Sequence, residues 1–404
     1  MTSSSRVVPF ILITVLIDAI GFGIIIPGLP GLLMRVGHLD LSGATRIGGW
    51  LALTYAAVQF AAGPTVGNLS DCLGRRKVLL GALGGYAIDY ALLCFANTLP
   101  LFFLGRALAG MFGATYGPAS AAMADVTEPD ERARLFGYIG GAFGIGFVVG
   151  PAIGGILASF GPRLPFAAAA TIAAANFIYG LLLFPETLPP EKRRAFNWRR
   201  ANPLGAVRVV QSIPGLPIIV LAYFLWQLAS MVYPSVWAFY GIANFGWSAR
   251  MIGISLALVG TMMALCQWFI TGRAVKLFGE RRTAQIGLGG AFCAFVAYAL
   301  IGSGTVALIV VVVIAIQSLV QPSLSAMLSK RVPDDAQGEV QGISGSVLAL
   351  GALFAPLIYN PALAWFTASG HPHWPGAPFA IAACFVLLTL ATLSRTPRRA
   401  AAAT

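Results

Sequence analysis

Two carboxylates stand where carboxylates are expensive. Asp18 lies in VLIDAIGFG and Asp89 in GYAIDYALL, each inside a long apolar run. Each is about eleven residues from the start of its run, roughly 16 Å along a helix at 1.5 Å per residue. That is near the middle of a hydrocarbon layer about 30 Å thick. A carboxylate there costs several kcal/mol unless it is solvated, paired or protonated. Desolvation penalises the charged form of an acid, and a group so placed is suited to taking up and releasing protons near neutral pH. Arg106, in GRALAGMFG, is the one basic residue inside an apolar run. Guanidinium groups keep their charge in proteins, so Arg106 can offset a nearby carboxylate. The plainer readings are an acid hydrogen-bonded to a neighbouring helix and an arginine snorkelling to the interface.

The elements that must hold these groups are membrane spans. The chain has 404 residues, of which 58% are hydrophobic and 10% charged, with mean hydropathy +0.81. Soluble domains carry roughly 25% charged residues. A spanning helix needs about 20 apolar residues, and the sequence predicts spans with cores at 7–28, 47–66, 78–97, 101–123, 135–158, 165–184, 214–240, 252–271, 283–302, 305–329, 340–366 and 376–394. The fold class is therefore all-α integral membrane, with twelve transmembrane helices. Of the 14 acids, only Asp18 and Asp89 lie deep in these spans.

The net charge of +12 does not indicate nucleic acid, because of where the charges fall. Of 26 Lys and Arg, only Arg35, Arg46, Arg163 and Arg250 lie in loops after odd-numbered spans. Apart from Arg106, the rest lie in the termini and the other loops, so the positive-inside rule predicts cytoplasmic termini. Cys72, Cys94, Cys266, Cys293 and Cys384 sit in or beside spans without paired spacing, and His38, His371 and His373 give no metal triad. Neither a disulfide framework, a metal nor a cofactor is expected. No cleavable signal peptide is evident.

The longest polar interruption, Pro185 to Arg208, divides the chain into a six-span half at 1–185, a basic linker at 186–213 and a second six-span half at 214–404. Between spans two and three lies GNLSDCLGRRK, a short charged loop that suits a cytoplasmic gate. Gly67, Asp71, Gly74, Arg75, Arg76 and Lys77 are its marked positions. Asp71 can cap a helix N-terminus, and Asp125, at the end of span four, can pair with Arg75 or Arg134. Between spans eight and nine, GRAVKLFGERR echoes the loop with the same Gly spacing, Gly272 and Gly279, but Lys276 replaces the acid. Parallel repeats are one way transporters build a site near the midplane.

In span five, GIGFVVGPAIGG places Gly146, Gly150, Pro151, Gly154 and Gly155 together. Small residues allow close helix approach, and proline bends a helix. The polar and aromatic residues Tyr55, Gln59, Asn176, Gln227, Trp237, Gln267, Gln317 and Gln321 are candidates for a substrate cavity. Amides and aromatics suit a neutral, zwitterionic or weakly basic amphiphile better than a strongly anionic metabolite.

Taken together, these features resemble the major facilitator superfamily. The loop Gly67–Lys77 is similar to its signature between helices two and three, and Gly144–Gly155 resembles the motif of drug/proton antiporters. The stretches LIDAIGFGIIIPGLPGLL, YAAVQFAAGPTVGNLSD and ADVTEPDERARLFGY are similar to the tetracycline exporters of Gram-negative bacteria. The resemblance implies a multi-pass transporter of the bacterial inner membrane, working as a monomer by alternating access. It implies export of an amphiphilic small molecule in exchange for protons, with Asp18 the leading proton site, Asp89 and Arg106 its helpers, and the Asp71 loop holding an outward-open state. Three polar positions of those exporters differ here and fall on Ala291, Met263 and Cys72. Losing the span-nine acid favours an alternative, a proton-independent exporter or uniporter. A non-transporting ligand-binding protein is a third reading. No nucleophile, base or metal cluster points to an enzyme.

Overall fold

Backbone polar groups in a bilayer must be satisfied within their own segment, which leaves helices as the solution for apolar runs of this length. The computed structural model describes residues 4–113, 116–196, 215–332 and 337–395. No strand occurs among them. The first helices are α1 (Ser4–Ile25), α2 (Leu29–Gly37), α3 (Leu41–Leu73), α4 (Arg75–Phe95), α5 (Leu99–Phe112), α6 (Tyr116–Asp125), α7 (Pro129–Phe160) and α8 (Leu164–Leu183). After the linker come α9 (Leu216–Ser230), α10 (Val232–Phe245), α11 (Ala249–Cys266), α12 (Gly272–Leu300), α13 (Gly304–Ile314), α14 (Val320–Ser329), α15 (Gln337–Thr367) and α16 (Ala377–Ser394). A π-helical turn, Gln267–Thr271, joins α11 to α12, and a 3₁₀ segment, Ala315–Leu319, joins α13 to α14.

The boundaries have local causes. Asp40 caps α3 by accepting from the Gly43 N–H at 2.8 Å. Prolines stand in the first turns of α5, α8, α9 and α16, where their missing N–H is not needed. Gly74, at φ 100° and ψ 155°, separates α3 from α4. Gly279, at φ 74° and ψ 163°, breaks α12. Both conformations are open essentially to glycine alone.

Ten stretches of the described residues are long and apolar enough to cross a membrane. One, Ala249–Leu300, has 52 residues, more than twice the roughly 20 of a span, and it contains the Gly279 break. The expected run at 47–66 lies in α3, whose 33 residues are not among the ten. The helices are thus consistent with twelve spans. Large apolar side chains lie exposed along them, Phe160 (78%), Leu300 (75%) and Leu182 (74%) among them, as lipid-facing positions require.

The chain separates into two compact units. The first comprises Met1–Pro203 with Gly241–Gly260. In it α1 packs along α7, α3 along α5 and α4 along α8. Its core gathers Phe10, Leu79, Leu83, Met123, Ile139 and Phe184, with the Phe10 and Phe184 rings stacked at 4.4 Å. The second comprises Leu204–Tyr240 with Thr261–Thr404. There α16 packs on α9 and α12, and Tyr233, Trp237, Tyr240, Tyr298 and Phe379 form an aromatic core. The Tyr240 hydroxyl donates to the Tyr298 carbonyl at 2.7 Å.

Candidate functional site

The first unit pairs two of the three predicted membrane charges. Asp89, on α4, is fully buried, and its Oδ2 accepts from Arg106 Nη2 on α5 at 2.7 Å. Its other oxygen has no hydrogen-bond partner and faces Gly105, where a Cβ would come within 2.8 Å. Glycine before Arg106 therefore makes the room that the carboxylate occupies. Arg106 is a paired arginine here, not a snorkelling one.

Beside the pair lies a polar group that the sequence reading named only in part. Gln59 Nε2, on α3, donates to the Tyr55 hydroxyl at 3.0 Å and to the Gly113 carbonyl at 3.1 Å. Tyr55 also shares a hydrogen bond with Tyr86 of α4. Tyr86 stacks on Tyr90 with centroids 5.9 Å apart. The Tyr90 hydroxyl reaches α1, lying 3.0 Å from where a Cβ on Gly21 would stand. Asp18, three residues before Gly21 and so on the same face of α1, is half-buried. The signal for Tyr86 in the sequence is its spacing: three residues before Asp89, it shares a helix face with it.

The loop between α3 and α4 closes around Arg75, which is 8% exposed. Arg75 Nη1 donates to Asp71 Oδ1 at 2.6 Å and to Ser70 Oγ at 3.1 Å, and Nε donates to Asp125 Oδ2 at 3.1 Å. Of the two partners expected for Asp125, the structure selects Arg75; Arg134 bonds Glu131 at 2.8 Å. The α4 N-terminus is capped by Glu186, whose Oε1 accepts from the N–H of Arg75 at 2.8 Å and of Thr187 and Leu188 at 3.0 Å. In the sequence Glu186 is only the first residue of the basic linker; its position just after α8 is the signal that could have marked it. Arg193 lies 3.6 Å from Glu186, the Arg194 N–H donates to the Asp71 carbonyl at 3.1 Å, and Arg76 donates to the Leu181 carbonyl at 2.7 Å. The start of the linker is folded onto the loop. Gly67, by contrast, has open space beside it.

The glycines of α7 set its distance from α1. A Cβ on Gly146 would lie 2.6 Å from the Leu16 carbonyl oxygen, and one on Gly150 2.7 Å from that of Ile20. At Gly154 it would run into the Ile24 carbonyl. Pro151 packs against Gly23, and Gly155 abuts the α11 backbone at Ala249 and Gly253.

In the second unit, Gln227 is buried with neither amide atom hydrogen-bonded, and the same holds for Trp226 Nε1 and Gln317 Oε1. Gln317 Nε2 lies 4.0 Å from the Met263 sulfur, and Ala291 is buried in α12. Trp237 lies in the packed aromatic core. Gln267, in the π-helical turn, and Gln321, on α14, are exposed. In the first unit Asn176, on α8, is buried and accepts from Thr14 of α1 at 3.4 Å.

The second loop repeats the first with its charges exchanged. Gly279 takes the backbone turn of Gly74. Glu280 follows it where Arg75 follows Gly74, and pairs with Lys330 just past α14, as Arg75 pairs with Asp125 at the end of α6. Arg281 then donates to the Leu393 and Ser394 carbonyls at 2.7 and 2.8 Å, as Arg76 does to Leu181.

A family model described as Major Facilitator Superfamily matches residues 11–356, with a second match over 244–403. The chain belongs to the major facilitator superfamily. It is 38% identical over 392 residues to the class C tetracycline resistance protein of Escherichia coli, a match covering 97% of each chain. It is 34% identical over 389 residues to the class H tetracycline resistance protein of Pasteurella multocida, covering 96% of each. The crystal structure of the human organic anion transporter TETRAN aligns with a TM-score of 0.72 at 26% identity, covering 97% of this chain and 100% of that one. As a member of this superfamily the chain is a multi-pass membrane transporter and not an enzyme.

Proposed function

We propose that this transporter exports an amphiphilic small molecule, tetracycline or a compound like it, in exchange for protons. The observation that carries the reading is the buried Asp89–Arg106 pair, grouped with Asp18 in a chain similar along its length to tetracycline resistance proteins. A carboxylate paired with one arginine can release that arginine when it takes a proton, so protonation and local helix packing are coupled. Asp18 is the leading proton site, and Asp89 and Arg106 assist it. Buried amide and indole groups without protein partners, at Gln227, Trp226 and Gln317, suit hydrogen bonding to a polar face of the substrate. Tyr55, Gln59, Gln267 and Gln321 offer further polar contacts. The Asp71–Arg75–Asp125 cluster serves as a cytoplasmic gate, with both termini in the cytoplasm of a bacterial cell and the protein monomeric in its inner membrane.

The test is proton movement in energised everted vesicles on adding tetracycline, wild type beside Asp18→Asn. Substrate-evoked collapse of the pH gradient, absent in the mutant, supports antiport through Asp18. Tetracycline counterflow without any proton movement in the wild type would overturn it. That outcome is what a second reading expects, a proton-independent exporter of the same fold. Ala291 and Met263 favour it, since the spans of the second half contain no acid.

A further inference from the structure

Two acids on different helices act as one proton-coupled device only if something between them transmits the state of one to the other. Asp18 is on α1, and the Asp89–Arg106 pair joins α4 to α5. Two tyrosines lie in the same cluster. We infer that the hydrogen-bonded hydroxyls of Tyr55 and Tyr86 are the positioning link through which the protonation of Asp18 is felt at the Asp89–Arg106 pair.

The geometry carries this in three ways. The hydroxyls converge: a Cβ on Gly113 would lie 3.0 Å from the oxygen of each. The direction of one bond is fixed, because Tyr55 accepts from Gln59 Nε2 at 3.0 Å and that amide is anchored on the Gly113 carbonyl. The Tyr55 proton is thereby left to be donated elsewhere, and a hydroxyl both donates and accepts. Hydroxyls in a chain polarise one another. Tyr90, stacked on Tyr86, sets its hydroxyl against α1 at Gly21, one turn from Asp18, so a change of charge at Asp18 reaches this chain. Arg106 is placed to sense the change: one turn further along α5, Gly110 abuts the Tyr55 backbone, and Tyr90, next to Asp89 in the chain, stacks on Tyr86. The charged and titratable groups around the pair are thus Asp18 from α1, Asp89 and Tyr90 from α4, and Arg106 from α5. Glycine at 105 in α5 and at 113, just past its end, lets carboxylate and hydroxyls come this close. No proton needs to leave either phenol.

The inference rests on the proton-antiport reading and is tested so that the two can fail separately. Tyr86→Phe keeps the ring stacked on Tyr90 and removes only the hydroxyl. In the full-length protein in everted vesicles, substrate-evoked proton movement should fall by at least about five-fold, the lower end of ordinary coupling between sites. In Tyr86→Phe tetracycline counterflow, which needs no net proton flow, should stay near wild type; Tyr55→Phe, at a proposed substrate contact, is read for proton movement alone and should show the same loss. The pH profile of uptake should flatten in Tyr86→Phe. If proton movement and counterflow fall together, the hydroxyl is merely structural and the inference is overturned. If neither changes, it is overturned as well. Asp18→Asn is run in parallel: full proton movement in that variant defeats the antiport role of Asp18 and the link with it. Loss in Asp18→Asn with none in Tyr86→Phe defeats the link alone.

Discussion

Arg106 and Asp89 are each costly in a membrane alone and acceptable together. Removing one partner of a buried ion pair costs about 3–5 kcal/mol, because the other is left charged and uncompensated. Arg106→Gln should therefore lower the melting temperature of the purified protein. Asp89→Asn/Arg106→Gln should recover much of the loss, a coupling that a double-mutant cycle reads directly. Additive losses would mean the two residues stabilise the protein independently. The sequence made the residues visible, since three charges inside apolar runs stand out against their neighbours. It could not show that Asp89 and Arg106 touch, because 17 positions and a helix boundary separate them. Tyr86 stayed hidden for a different reason: a tyrosine in an apolar run is unremarkable until its hydroxyl has a partner.

The two loop glycines differ in kind, and helix geometry explains it. Gly74 holds a backbone conformation that other residues reach at about 1–3 kcal/mol, and Glu186 fills the space where a side chain would go. Gly67 is helical with open space beside it. Gly74→Ala should destabilise by that amount or more, whereas Gly67→Ala should leave stability unchanged. Thermal unfolding in detergent separates them, and equal losses would contradict the assignment. Spacing had marked both glycines as equivalent loop positions, and periodicity says nothing about φ. The glycines of α7 were legible as a packing face. Their partner was not, because the α1 carbonyls at Leu16, Ile20 and Ile24 carry no sequence signal at all.

For the whole molecule, hydropathy and charge placement revealed the helical membrane fold, and the loop echo revealed an internal repeat. The echo looked degraded because the acid at Asp71 has become Lys276. Its geometry is intact, with Glu280 and Lys330 taking the places of Arg75 and Asp125 in opposite sign. Exchanging both charges, Glu280→Arg with Lys330→Asp, should leave transport at wild-type level. Either single change should lower it modestly, since exposed pairs contribute about 0–1 kcal/mol. Transport assays on the three variants decide it: a double variant weaker than both singles would show that sign, not pairing, matters there.

The docking of Glu186, Arg193 and Arg194 on the α3–α4 loop has a practical consequence for dividing the gene. Two separately translated fragments should reassemble into a working carrier if the first ends after Phe196. They should fail if it ends at Phe184, because the upstream fragment then lacks the residue that caps α4. Where a polypeptide can be severed is set here by a carboxylate and not by the visible length of a linker.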